Sequence, residues 1–227
     1  MKIGILGTSS VGQTLAGKLA DLGHDVVVGT RDVAATLART EPHPYGFPAF
    51  SVWLKEHATV RPGTFAEAAR HGDIVLNATN GGGTLAALEQ AGSANLDGKI
   101  LVDIANPLDF SQGMPPSLSV CNTDSLGEQI QRAYPAVRVV KALNTVTAFL
   151  MIDPGQVGGG DHTLFICGDD AGAKAEVTGW LTAWFGWRDV LDLGGIANAR
   201  GTEMYLALWV RAYGALGTGM FNVKIVR

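Results

Sequence analysis

Two cysteines, Cys121 and Cys167, are all that 227 residues contain. Two thiols cannot build a framework of bridges, and this pair lacks metal-ligand spacing, so both read as reduced, structural thiols of a cytoplasmic protein. Charge is also scarce, at 17% of residues with a net charge of −4 and no basic run. Nucleic acid and anionic membrane both demand clustered Lys and Arg, so neither is an expected partner. No stretch reaches about 18 unbroken apolar residues, and the first strand begins at residue 2 without a cationic leader and apolar segment before it. A membrane span and export are therefore not expected. Internal repeats and low-complexity tracts are missing. So are Ser-His-Asp, Cys-His and metal-ligand clusters, and the five histidines fall where turns and element ends make solvated structural roles the default.

What is present is 47% hydrophobic residues and 30 glycines spread along the chain, enough for one extended α/β domain with an appended piece. The chain is organised around Met1 to Gly12. Ile3, Ile5 and Leu6 form a short apolar run bounded by Gly7, which suits a parallel strand buried on both faces. Val11, Leu15, Ala16, Leu19 and Ala20 then recur at helical spacing without a linker, leaving the backbone N–H groups of the helix start available to a pyrophosphate. Strand, glycine turn and helix are the context a dinucleotide fingerprint requires. The glycine pattern is Gly7-Thr8-Ser9-Ser10-Val11-Gly12, with Ser9 at the position of the central glycine.

A turn at Asp21 to His24 and a second buried strand from Asp25 to Val28 complete a βαβ unit, and the next residues bear on the cofactor. An NAD site usually places a carboxylate at the end of this strand, whereas a site for the 2′-phosphate of NADP places small polar and cationic groups there. Thr30 occupies the carboxylate's position, and Arg31 offers a fork suited to phosphate. These residues favour NADP. The alternative is that Asp32 binds the ribose and Arg31 is solvated.

A Pro- and aromatic-rich excursion covers Thr40 to Gly63, with a short helix expected over Phe50–His57 and a short strand over Thr59–Arg61. Thr64 and Glu67 form a capping box for the helix before the strand Asp73–Leu76. That strand empties into Asn77-Ala78-Thr79-Asn80 and three glycines, a fifth strand into Ala105-Asn106-Pro107, and a sixth, Val137–Leu143, into Asn144-Thr145-Val146. Loops at the C-terminal ends of parallel strands are where doubly wound sheets bind ligands. A loop from Phe110 to Asn122 reads as irregular, and Ser125 with Glu128 caps a further helix.

The expected fold is α/β, a doubly wound, Rossmann-type, mainly parallel sheet with a small C-terminal α/β extension ending in an apolar helix. Residues 1–146 would be the NADP-binding domain, and 147–227 a smaller portion packed on it. Within the latter, Val177, Trp180, Leu181, Trp184 and Phe185 form a helical stripe read as core. The last helix, Thr202–Leu216, is apolar nearly all round, which leaves buried core, dimer interface or a roof over the second substrate open. Phe221–Val226 reads as a final short strand.

The whole pattern resembles the NADPH-dependent coenzyme F420 reductases, or F420:NADP oxidoreductases, over nearly its full length. The resemblance rests on Gly7-Thr8-x-x-Val11-Gly12, on Gly23-His24-x-Val-Val-Val-Gly29-Thr30-Arg31 and on Val140-Lys-Ala-Leu-Asn144-Thr145. Gly168-Asp169-Asp170-Ala171-x-Ala-Lys174, Asp192-Leu-Gly-Gly195 and Phe221-Asn-x-Lys224-Ile-Val-Arg227 extend it. It implies reversible hydride transfer between NADPH and the deazaflavin F420, usually in a homodimer. By position it implies Thr8 and Val146 near the nicotinamide, Ser9, Ser10, Val11 and Gly12 at the pyrophosphate, and Thr30 and Arg31 at the 2′-phosphate. Asn80 and Asn144 would line the site between cofactor and acceptor. Two features depart from the family pattern: Ser9, whose Cβ would crowd the pyrophosphate or whose hydroxyl would donate to it, and the segment after Arg31, which lacks the further cation some members carry.

Overall fold

The computed structural model describes residues 1–43 and 46–227; Pro44 and Tyr45, within the excursion, lie outside the described residues. In chain order the elements begin β1 (Lys2–Leu6), α1 (Ser10–Asp21), β2 (Asp25–Thr30), α2 (Val33–Ala38), α3 (Phe50–Glu56), β3 (Arg61–Thr64) and α4 (Phe65–His71). They continue with β4 (Ile74–Asn77), α5 (Thr84–Ala91), α6 (Ser93–Leu96), β5 (Ile100–Asp103), a hairpin of β6 (Leu108–Asp109) and β7 (Ser117–Leu118), α7 (Leu126–Ala133) and β8 (Arg138–Ala142). The chain ends with α8 (Ala148–Ile152), β9 (Thr163–Cys167), α9 (Ala171–Trp180), β10 (Asp189–Asp192) and α10 (Ala199–Leu216).

Eight strands form one sheet in the order β3-β2-β1-β4-β5-β8-β9-β10. The six strands from β3 to β8 are parallel, and their order reverses direction at β1, the doubly wound plan. β9 runs antiparallel to β8, and β10 runs parallel to β9, so the C-terminal portion extends the same sheet.

Alternation along the strands divides the core in two. Ile3, Ile5, Val26, Val28, Leu76, Val102 and Val140 face α1, α3 and α8, while Leu6, Val27, Val75, Leu101 and Val139 face α4, α5 and α7. Gly4 permits close packing of β1 on α4, since a Cβ there would lie 2.2 Å from the Ala68 carbonyl oxygen. The Thr64–Glu67 capping box forms as expected, with the Thr64 hydroxyl accepting from Glu67 N, and Ser125 caps α7 by accepting from Glu128 N on its hydroxyl. The aromatic stripe is core, with Val177, Leu181 and Phe185 buried and Trp180 stacked on Trp184.

Several local expectations are corrected. The third strand runs through Pro62 and Gly63 rather than ending at Arg61; it is the sheet edge, where the missing proline N–H leaves no ladder position empty. The loop after β5 is not wholly irregular but contains the β6–β7 hairpin. The tail forms no strand and is tied to β9 through Thr163, which donates its N–H to the Val223 carbonyl and accepts from Ile225 N on its hydroxyl and from Asn222 Nδ2 on its carbonyl. α10 is half-buried rather than enclosed: Thr202, Glu203, Leu206 and Val210 face inward, and Leu208, Tyr213 and Leu216 are exposed. No helix among the described residues is long and apolar enough to cross a membrane.

Candidate active site

The C-terminal edge of the parallel strands gathers nearly every residue singled out in the sequence. At the β1–α1 turn, Gly7 adopts φ +114°, and a Cβ on it would stand 2.5 Å from the Ala78 carbonyl oxygen. A Cβ on Gly12 would stand 2.1 Å from the Gly7 carbonyl oxygen, so these two glycines are sterically required. Ser9 has the ordinary extended conformation of an N-cap, φ −70° and ψ 176°, which explains why glycine is dispensable there. Its hydroxyl donates to the Ala78 carbonyl at 3.3 Å instead of capping α1. Ser10, Val11 and Gly12 form the opening turn of a 12-residue helix, with their N–H groups toward its positive end. Gln13 braces the turn, donating from Nε2 to the carbonyls of Thr8 at 3.0 Å and Pro48 at 3.2 Å.

At the end of β2, Thr30 is buried and its hydroxyl shares a hydrogen bond of 2.8 Å with that of Thr36. Arg31 is exposed, with no hydrogen bond or ion pair among the described residues. Asp32 is committed elsewhere: its Oδ1 accepts from Ala35 N at 2.9 Å and caps α2. Arg39, at the end of α2, donates to the Thr36 hydroxyl at 3.2 Å. A cleft of about 310 Å³ joins these parts, lined by Thr8, Ser9, Ser10 and Gln13 on one side and by Thr36, Arg39, Glu41, Phe47 and Pro48 on the other. The excursion thus lies across the phosphate turn, and its Phe47 stacks on Phe149 of α8.

The other three loop ends are held by one buried polar network. Asn77 donates to Asp103 Oδ1 at 2.8 Å and accepts the Thr79 hydroxyl at 2.7 Å, and that hydroxyl also meets Thr84 Oγ1 at 2.8 Å. Asp103 accepts from Lys141 Nζ at 2.8 Å, and Lys141 also donates to the Ala105 carbonyl at 2.5 Å and pairs with Glu203 at 2.7 Å. Glu203, on α10, accepts the Leu126 and Gly127 N–H groups at the start of α7, at 2.8 and 3.0 Å. The three charged side chains are 0%, 0% and 1% exposed. The two carboxylates raise the lysine pKa above its ordinary value against the opposing effect of desolvation, so Lys141 stays a cation.

Asn106 and Asn144 pair reciprocally: Asn106 Nδ2 donates to the Asn144 carbonyl at 2.8 Å, and Asn144 Nδ2 donates to Asn106 Oδ1 at 3.0 Å. Asn80 Oδ1 accepts from Gly82 N, and Gly81 lies so close to Asn106 that a Cβ there would be 2.0 Å from its carbonyl oxygen. Leu143 turns the chain with φ +65°, and Asn144, Thr145 and Val146 are buried beyond it. Asn144 Oδ1 and Thr145 Oγ1 have no hydrogen-bond partner among the described residues. Sequence reasoning placed Asn77 in the loop after β4 but did not identify Gln13, Thr36, Arg39, Asp103, Lys141 or Glu203. Only Lys141 carried a signal, a cation inside the apolar run Val139-Val140-Lys141-Ala142.

A glycine turn feeding a helix at β1, polar loop ends at β4, β5 and β8, and the strand order around them define a dinucleotide-binding α/β enzyme. A sequence profile described as NADP oxidoreductase coenzyme F420-dependent matches residues 2–107. A crystal structure from Arthrobacter sp. FB24, described as a proposed F420-dependent NADP-reductase, is 59% identical with a TM-score of 0.95, covering 100% of both chains. F420-dependent NADP reductase of Methanothermobacter marburgensis is 26% identical over 92% of this chain and 91% of its own length. Metalloreductase STEAP3 of Rattus norvegicus is 30% identical over 89% of this chain, which spans 36% of that protein. The chain belongs to the coenzyme F420-dependent NADP oxidoreductase family and is an NADP-dependent oxidoreductase.

Proposed function

We propose that the protein transfers a hydride between NADPH and a deazaflavin acceptor of the coenzyme F420 type, with residues 1–146 holding NADP and 147–227 completing the acceptor side. The observation that carries this reading is the pair of buried, unpartnered oxygens at the end of β8, on Asn144 and Thr145. An orphaned buried acceptor costs about 1–3 kcal/mol, which a ligand N–H offsets, and the nicotinamide carboxamide is such a donor. At the other end of the site, Gly7 and Gly12 let the turn pack directly on the backbone of Ala78 and of Gly7 itself, next to a helix start suited to a pyrophosphate.

In this reading Ser9, Ser10, Val11 and Gly12 hold the pyrophosphate, and Thr30 and Arg31 lie at the 2′-phosphate. Thr8 and Val146 border the nicotinamide, while Ala78, Thr79, Asn80, Ala105, Asn106 and Asn144 shape the slot between cofactor and acceptor. Bound NADPH supplies the hydride, and the overall reaction converts NADPH, F420 and a proton into NADP⁺ and reduced F420. The protein's part is to orient and to exclude water. The loop-end residues 78–80, 105–107 and 144–147 contain no His, Tyr, Cys or acid, and Asp103 and Lys141 are consumed by their own network. A carbonyl or imine substrate needs a proton donor there, whereas a deazaflavin can take its proton from solvent. The exposed Leu208, Tyr213 and Leu216 of α10 suit a homodimer, and the composition suits the cytoplasm.

The test follows NADPH oxidation with F420, with FMN, with FAD and without acceptor, then repeats each with NADH. Turnover confined to NADPH with F420 is expected. Turnover with flavin alone, or binding without oxidation, would overturn the reading.

A further inference from the structure

The geometry points to Arg39 as a second cation of the 2′-phosphate site, held in place by the buried threonine pair and by the excursion after α2. The inference rests on NADP being the cofactor. The sequence immediately after Arg31 carries no further cation, and the turn of α2 supplies one eight residues later. Thr30 Oγ1 and Thr36 Oγ1 lie 2.8 Å apart, and Arg39 Nη2 donates to Thr36 Oγ1 at 3.2 Å. A continuous bridge therefore runs from the end of β2, where a 2′-phosphate is read, to a guanidinium on the wall of the cleft that also contains Ser9 and Ser10.

The backbone is fixed too. The Arg39 carbonyl accepts a hydrogen bond from the Ser51 hydroxyl of α3, so the 40–63 segment buttresses the arginine. Among the described residues Arg39 has no carboxylate partner, although Glu41 lines the same cleft. A solvated guanidinium with one neutral hydrogen bond retains N–H groups for an incoming phosphate, and its fork geometry suits that anion. Arg31 and Arg39 approach along different elements, one from the β2–α2 turn and one from the far end of α2. Two cations on one phosphate explain how the site can select NADP without a basic residue in the first turn of α2.

Equilibrium binding of 2′,5′-ADP and 5′-AMP, by calorimetry, separates this role from catalysis. Wild type should prefer 2′,5′-ADP. Arg39→Ala should weaken 2′,5′-ADP by at least about ten-fold, the scale of a charge-assisted hydrogen bond, and leave 5′-AMP unchanged. Arg39→Lys should restore part of the preference, because it returns the charge without the fork. Thr36→Val should shift the ratio in the same direction by a smaller factor. An unchanged ratio in Arg39→Ala, with Arg31→Ala alone abolishing the preference, would overturn the assignment. Equal affinity of wild type for the two ligands would instead overturn the NADP reading itself. Arg39 is exposed, so an unchanged Tm should accompany the two Arg39 variants.

Discussion

Lys141→Met removes the one cation from the fully buried cluster that ties α10 to the loop ends. Lys141 Nζ contacts Asp103 at 2.8 Å, Glu203 at 2.7 Å and the Ala105 carbonyl at 2.5 Å. The substitution fills the volume but strands two carboxylates that are 0% and 1% exposed. Breaking a buried pair in this way costs about 3–5 kcal/mol, against a typical total of about 5–15 kcal/mol. The folded-to-unfolded ratio should therefore fall by roughly two to nearly four orders of magnitude. The pH dependence follows from the signs. In wild type the raised lysine pKa means its contribution is fully present below the ordinary lysine range and is lost only as pH rises beyond it. In the variant, two buried carboxylates without their cation leave a deficit that should be evident at neutral pH. Guanidinium unfolding followed by tryptophan fluorescence measures it, and Asp103→Asn added to Lys141→Met should recover part of the loss. A loss below about 1 kcal/mol at neutral pH, with an unchanged slope, would refute the buried ion cluster.

Other expectations are independent of that cluster. Gly12→Ala drives a Cβ to 2.1 Å from the Gly7 carbonyl oxygen and should cost about 1–3 kcal/mol together with NADPH affinity, whereas Gly83→Ala, with nothing within 4 Å, should stay within about 0.5 kcal/mol by thermal melting. The Arg200 guanidinium beside Glu128 holds that carboxyl below its usual value, so its contribution is present above the ordinary glutamate pKa and lost as pH falls through the depressed one. Glu128→Gln should accordingly lower Tm at neutral pH and converge on wild type in acid. Burial pushes the Cys167 thiol up to about 12, so native protein should react with a thiol reagent at exposed Cys121 alone, and both should react after unfolding.

Features set by neighbours in sequence were legible. The glycine turn, the Thr64–Glu67 box and the Ser125 cap are local patterns, and each forms as read. The strand ends at 77–80, 103–106 and 142–146 could be placed because apolar runs stop at polar loops there. The Lys141–Asp103 pair spans 38 residues, so no spacing rule reaches it, although a lysine within a strand buried on both faces requires a partner. Arg39 escaped notice because α2 was not recognised, even though Asp32 is a good N-cap and a six-residue helix brings the arginine back to the cleft. The direction of β9 was not legible either, since strand patterns are blind to parallel and antiparallel pairing. The half-exposure of α10 was hidden by its composition, as an apolar residue reads alike whether core or partner surface covers it.

Isotope transfer tests the central claim most directly. NADPH carrying deuterium at the transferable C4 position is mixed with F420 and the protein in ordinary water, and the reduced deazaflavin is analysed by mass spectrometry. Direct hydride transfer between positioned rings predicts one carbon-bound deuterium per reduced F420, with none bound to carbon when the label is in the solvent instead. Reduction without the label, or NADPH binding with no reduction of F420, would contradict it.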